Sequence, residues 1–233
     1  MPFWVKAILV CLLYYPIFVM SMMVYRAGRT MPARLEGNYT PIDMDPMPVL
    51  RSERVGMVYA PLITYFLNLI QGGVFMCGWL PTLFDPEISH SDPRRASRYS
   101  LAGPLALLSL VIWSTVLMRI GLWAGLFHMG FPLGFPVLPV AGNNLPLEIV
   151  ALVLDLVWWQ NLLFAGFYLL PIPPFDGWQV VGFFLPLQTA RKWQSMFLPL
   201  QYQYMCLLLA MLVFTLVERY VVALALYLGG FPS

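Results

Sequence analysis

Charge is what this chain has least of. Asp, Glu, Lys and Arg make up 10% of its 233 residues, against about a quarter in average soluble domains, which excludes an ordinary soluble fold. Histidine is scarcer still: His90 and His128 are the only two. No pair of histidines stands four apart, so there is no HExxH helix of the kind that grips zinc. The three cysteines, Cys11, Cys77 and Cys206, form no CxxC, which excludes a disulfide framework and a thiolate zinc site. Net charge is only +2 and no Lys/Arg run exists, so nothing here tracks nucleic-acid phosphates. GxSxG, a glycine-rich phosphate loop, a paired catalytic serine and lysine, and the CxxCH of haem attachment are missing too.

What the chain does have is apolar length. Hydrophobic residues make up 60% of it, and a spanning helix needs ~20 consecutive apolar residues. Candidate segments cover 3–25, 55–76, 101–127, 147–170 and 201–228. The first, with Lys6 near its start and Arg26 at its end, has no small-residue cleavage site and reads as a retained span. Segment 55–76 is the odd one, because Asn68, Gln71, Gly72 and Gly73 interrupt it. If it crossed fully, Arg94, Arg95 and Arg98 would face outward, against the positive-inside bias. If it turns back, Arg26, Arg29, Arg34, Arg51, Arg54, Arg94, Arg95, Arg98, Arg191 and Lys192 all face the cytoplasm. The expectation is one all-α polytopic domain over 1–233, with four full spans and a re-entrant (or fifth) segment. It sits in the cell (inner) membrane, multi-pass, with both termini outside.

Four charged residues fall inside these spans: Arg119, Asp155, Glu218 and Arg219. Such groups cost about 2.5–3.5 kcal/mol each at mid-helix, so they pair or line a cavity. An antiparallel hairpin of 101–127 with 147–170 puts Arg119 level with Asp155. A buried structural cluster of all four is expected, with a proton or substrate path as the competing reading.

The last of the long central apolar segments ends in LLPIPPFDG, 169–177. Proline fixes φ and lacks a donor, so PIPP forms a stiff elbow. Gly177 permits close backbone approach, and Asp176 is left at the end of the apolar run. An N-cap opening a short helix over 178–187 explains Asp176 as well as a ligand role does.

Asn161 to Gly177 (NLLFAGFYLLPIPPFDG), GWLP at 78–81 and DPRRASRYSLAGPLA at 92–106 resemble the site-2 protease family of intramembrane zinc metalloproteases. The resemblance covers about residues 10–190 and implies a site-2-protease-like transmembrane core. It also implies that Asp176 stands where that family has its third zinc ligand. The two histidines and the glutamate of HExxH are lacking. Aligning Gly28 with the glycine that follows the family's motif puts Pro16–Met20 in their place. Leu107 and Tyr168 stand where the family has asparagines, and Trp178 and Gln179 replace the usual residues after the DG pair.

The resemblance therefore implies a pseudoprotease, with no catalytic residues, no metal and no cofactor. Asp176, Asn161 and Gly177 are its vestigial site. A groove near Gly103, Pro104, Pro171 and Pro173 is expected to hold partner helices. The partners expected are other integral membrane subunits and the lipid bilayer, with this chain as an accessory scaffold. The competing enzyme reading is an active intramembrane metalloprotease holding zinc through Asp176, His90 and an acidic partner. A small channel or transporter around Arg119, Asp155 and Glu218 is the third reading. Asp85, Glu87, His90 and Asp92 share one proline-flanked loop, which reads more simply as solvated than as a metal site. His128 reads as an interfacial histidine with a pigment-ligand alternative, and Met20, Met22 and Met23 as packing residues.

Overall fold

The computed structural model of the chain describes residues 3–37, 45–70, 75–80, 92–130, 138–140, 144–173, 175–195 and 219–231, with 209 and 213 as single positions. It is mostly helical. Three helices among the described residues are long and apolar enough to cross a membrane: α1 (Phe3–Leu35, apolar from Ala7), α4 (Pro93–Trp123) and α5 (Leu145–Tyr168). Four full spans were expected. The fourth, 201–228, falls largely outside the described residues, and its described end forms the shorter helix α8 (Arg219–Gly229).

The boundaries follow local chemistry. Asp92 accepts hydrogen bonds from the backbone N–H of Arg94 and Arg95, both at 3.1 Å, with Pro93 in the first turn. An Asp cap followed by proline is a strong helix start, so α4 begins eight residues before the expected 101. α1 continues past its expected end at Tyr25 to Leu35, and passes Pro16 and Pro32 without ending. α5 stops where Leu169 and Leu170 lead into Pro171.

α4 lies centrally, packed on α1, on α5 and on the short helix α6 (Asp176–Phe184). Small residues let α1 and α4 close on each other: Gly28 faces Ala102 and Ala106, and Gly103 faces Tyr25 and Arg29. This is the small-residue contact that membrane helices use in place of a hydrophobic drive. Trp158 Nε1 donates to Thr115 Oγ1 at 3.0 Å and sets the register of α5 on α4. The core gathers Tyr14, Phe18, Met22, Tyr65, Trp158 and Phe164. Helix α7 (Leu187–Ser195) follows α6 and stacks Trp193 on Trp178, ring centroids 3.9 Å apart.

Residues 46–70 and 75–80 form an arm against α1. Helix α2 (Pro46–Ser52) leads to a π-helical turn, Val55–Tyr59, and then to α3 (Ala60–Ile70). Tyr15 Oη donates to Met57 O at 3.0 Å, and Tyr65 Oη to Ala7 O at 2.7 Å. α3 therefore runs antiparallel to α1. Residues 75–80 then come back beside it, with Cys77 N donating to Thr64 Oγ1 at 2.8 Å and Trp79 N to Gly56 O at 3.1 Å. The segment ends where it began.

An expected all-α fold needs one small amendment. His128–Gly130 (β1) and Leu138–Val140 (β2) pair antiparallel, His128 opposite Val140, at the Trp123 end of α4.

The expected polar cluster does not form among the described residues. Asp155 and Met118 are level through the Trp158–Thr115 contact, so Arg119 and Asp155 share a depth as expected. Met118 faces the core, however, and Arg119, ~100° further round the helix, is exposed. Arg119 Nε donates to Gly229 O at 2.8 Å, with its guanidinium 4.9 Å from the Phe231 ring centre. It thus satisfies a carbonyl left open at the C-terminal end of α8. Arg219 donates to the Tyr220 hydroxyl at 2.8 Å. Glu218 lies outside the described residues.

Candidate functional site

The elbow does what its prolines suggest. α5 ends, Phe175 N donates back to Ile172 O at 3.0 Å, and α6 starts at Asp176. Gly177 lies so close to the Leu169 and Leu170 carbonyls that any Cβ there would collide with backbone. Asp176 is not the N-cap, however: Phe175 occupies that position, and the Asp176 carboxylate turns inward from the first turn of α6.

Asp176 is 1% exposed and meets two residues of α1. The Tyr25 hydroxyl donates to Oδ2, and Arg29 Nη1 stands 2.7 Å from Oδ1. Arg29 Nη1 also donates to Tyr25 Oη at 3.2 Å, closing a triangle. Tyr168 stacks on Tyr25 with centroids 4.3 Å apart, and Gly103 fits against the Tyr25 ring and the Arg29 stem. On the other side, Ser100 Oγ donates to Gln179 Oε1 at 2.5 Å and Ser97 Oγ to Gln179 O at 2.7 Å. α6 is thus held to α1 by charge and to α4 by hydroxyls.

Burial raises the Asp176 carboxyl to about 6, while the Arg29 guanidinium and the Tyr25 hydroxyl pull it back down. At neutral pH the carboxyl is ionised and the contact is ionic. The arrangement sets one positive charge against one negative charge: Oδ2 takes the Tyr25 hydrogen bond, while Oδ1 meets Arg29 by charge and forms no hydrogen bond of its own. A guanidinium has five donors and no acceptor, so Tyr25, Arg29 and Asp176 do not fit Zn²⁺, which takes N, S or O ligands from deprotonated groups. Among the described residues no three His, Cys, Asp or Glu side chains gather into a metal-sized group.

The residues opposite Asp176 are therefore not Pro16–Met20. Pro16 lies nine residues before Tyr25, ~13 Å along the helix at 1.5 Å per residue, and Met20 is exposed. Tyr25 and Arg29, four residues apart and so on one helix face, occupy that place. Neither was expected at the site. The signal was present as two polar side chains at helical spacing, with Gly28 between them, at the end of an apolar helix.

The other expected site residues scatter. Asn161 is buried but donates to its own helix at Val157 O, 2.7 Å away, about two turns from the Tyr168 end. Gly103 and Pro104 are buried rather than lining a groove, because Tyr25 and Arg29 fill the space over Gly103. Pro171 is exposed and Pro173 half-buried. Leu107 packs in the core, and His128 is exposed at the opposite end from Asp176. Asp92 caps α4; Asp85, Glu87 and His90 lie outside the described residues, as does Cys206. Of the methionines, Met22 and Met23 pack in the core.

No family model, no curated protein and no solved structure matches this chain.

Proposed function

We propose that this chain is a catalytically silent membrane protein with a site-2-protease-like core, acting as an accessory subunit that binds other integral membrane proteins. One observation carries the reading: Tyr25 and Arg29, at the spacing of the two histidines of HExxH, close on Asp176 from α1. In this reading Tyr25-Arg26-Ala27-Gly28-Arg29 is the replaced motif, with Tyr25 and Arg29 at the histidine positions and Arg26 at the glutamate position. A guanidinium then stands where the family carries its cation, and the carboxylate is kept as a structural counter-ion.

The same reading accounts for the arm. The return of Trp79 to Gly56 fits a segment that enters and leaves the membrane on one side. Irregular backbone at such depth is tolerated when covered by protein, and Met76 and Cys77 are buried. Four full spans, a re-entrant segment 55–76 and outer termini remain the proposed topology. With Gly103 and Pro104 covered, the partner docks elsewhere than in the expected groove.

Restoring the motif tests this directly. Tyr25→His, Arg26→Glu and Arg29→His together should let the purified protein bind one zinc with Asp176, whereas the unaltered chain binds none stoichiometrically. Zinc held by the unaltered chain and lost in Asp176→Ala would overturn the reading in favour of a metalloprotease. Purification in mild detergent should bring down a stoichiometric membrane subunit; a clean monomer counts against the accessory role.

A further inference from the structure

Asp155 takes part in none of these contacts. It lies in the interior of α5 with no exposed surface, and neither carboxyl oxygen has a hydrogen-bond partner among the described residues. A buried polar group without a partner requires a physical reason. An isolated ionised carboxylate is among the most expensive groups to bury, and the usual escape is to become neutral.

The described neighbours offer no counter-charge. α5 packs on α4, α1 and β2. On α4 the level cation is Arg119, which is turned outward to the Gly229 carbonyl. Among the described side chains of α1, the titratable groups nearest in depth are Cys11, which is buried and free, and Tyr14, whose hydroxyl donates to Gln160 Oε1. His128 on the hairpin and Glu148 at the start of α5 are both exposed. Among the described residues no ion pair reaches Asp155.

We propose that Asp155 is a proton-binding site inside the helix bundle. The carboxyl carries its proton in the folded chain, and α5 takes up that proton when it packs on α4. The inference needs only the burial of Asp155 and stands independently of the site at Asp176.

Infrared spectroscopy of the purified, detergent-solubilised protein at neutral pH tests it. Protein with carbon-13-labelled aspartate should show the C=O stretch of a protonated, weakly hydrogen-bonded carboxylic acid. That band should shift with the label and vanish in Asp155→Asn, which is neutral and close in shape. Asp155→Glu gives a second reading that does not depend on the asparagine variant folding: the band should move from the aspartate label to a glutamate label. Absence of the band in the unaltered protein, or its survival in either variant under aspartate labelling, overturns the proposal.

Discussion

At the residue scale the Arg29–Asp176 pair is the most exacting contact in the chain. Both side chains are removed from solvent, at 6% and 0% exposure. Removing one partner of a buried ion pair leaves an uncompensated charge and costs about 3–5 kcal/mol, whereas replacing both by apolar groups is often neutral or stabilising. Arg29→Leu should therefore destabilise the protein by about that amount in detergent unfolding, and Arg29→Leu with Asp176→Leu should recover much of the loss. Equal losses in the single and double variants would show that the two residues act separately. Gln160 makes a similar link on neutral terms. It accepts from the Tyr14 hydroxyl and donates to Met76 O at 2.9 Å, joining α1, α5 and the returning arm. Gln160→Leu leaves those buried groups unsatisfied, at a cost of about 1–3 kcal/mol each. Hydrogen exchange should rise in residues 75–80 while α4 stays protected.

At the scale of elements, the polar tail of α1 is tied to the start of α4. Glu36 accepts from the Tyr99 hydroxyl at 2.6 Å and stands within salt-bridge distance of Arg95 and Arg98. The Tyr99 hydroxyl, with Arg95 and Arg98, holds the Glu36 carboxyl below its ordinary range. A carboxyl lowered by folding contributes stability above its unfolded value, ~4.3, and that contribution is lost as pH falls through the folded value. Acid should therefore loosen this tie below about pH 4, with Glu36→Gln flattening the dependence of the melting midpoint on pH in that range. The contact is largely exposed, so the effect is small.

The start of α4 was missed at 101, although Asp92 and Pro93 carried the signal of a helix cap. The rigid presentation of Asp176 was legible, from PIPP and Gly177. The length of α1 was not, since Arg26, Arg29 and Arg34 break the apolar run after Tyr25 and Gly28 packs this stretch on Ala102 and Ala106 of α4. Nothing local said that Trp79 would return to Gly56. Arg119 and Asp155 were correctly placed at one depth. Their pairing failed because depth along a helix says nothing of rotation about it, and one residue of offset turned Arg119 outward.

At the scale of the whole molecule, the contacts sort charge toward one end. The Leu35 end of α1, the Pro93 end of α4, the Tyr168 end of α5 and α6 with α7 all meet there, through Glu36–Arg95, Arg29–Asp176 and Ser97–Gln179. Those segments carry Arg26, Arg29, Arg34, Arg94, Arg95, Arg98, Arg191 and Lys192, against Lys6 and Arg119 toward the other end. Positive residues in short flanking segments set orientation, so the proposed topology predicts the Asp176 end on the cytoplasmic side and the β1–β2 hairpin on the outer side. Single cysteines in a background without Cys11, Cys77 and Cys206 can report this. Ala124→Cys, exposed beyond α4, should react with a membrane-impermeant maleimide in intact cells. Gln188→Cys, exposed on α7, should react only in inverted vesicles. The opposite pattern would reverse the orientation. Labelling of both from one side would break the three-helix arrangement itself, because α5 is the crossing that separates the hairpin from α7.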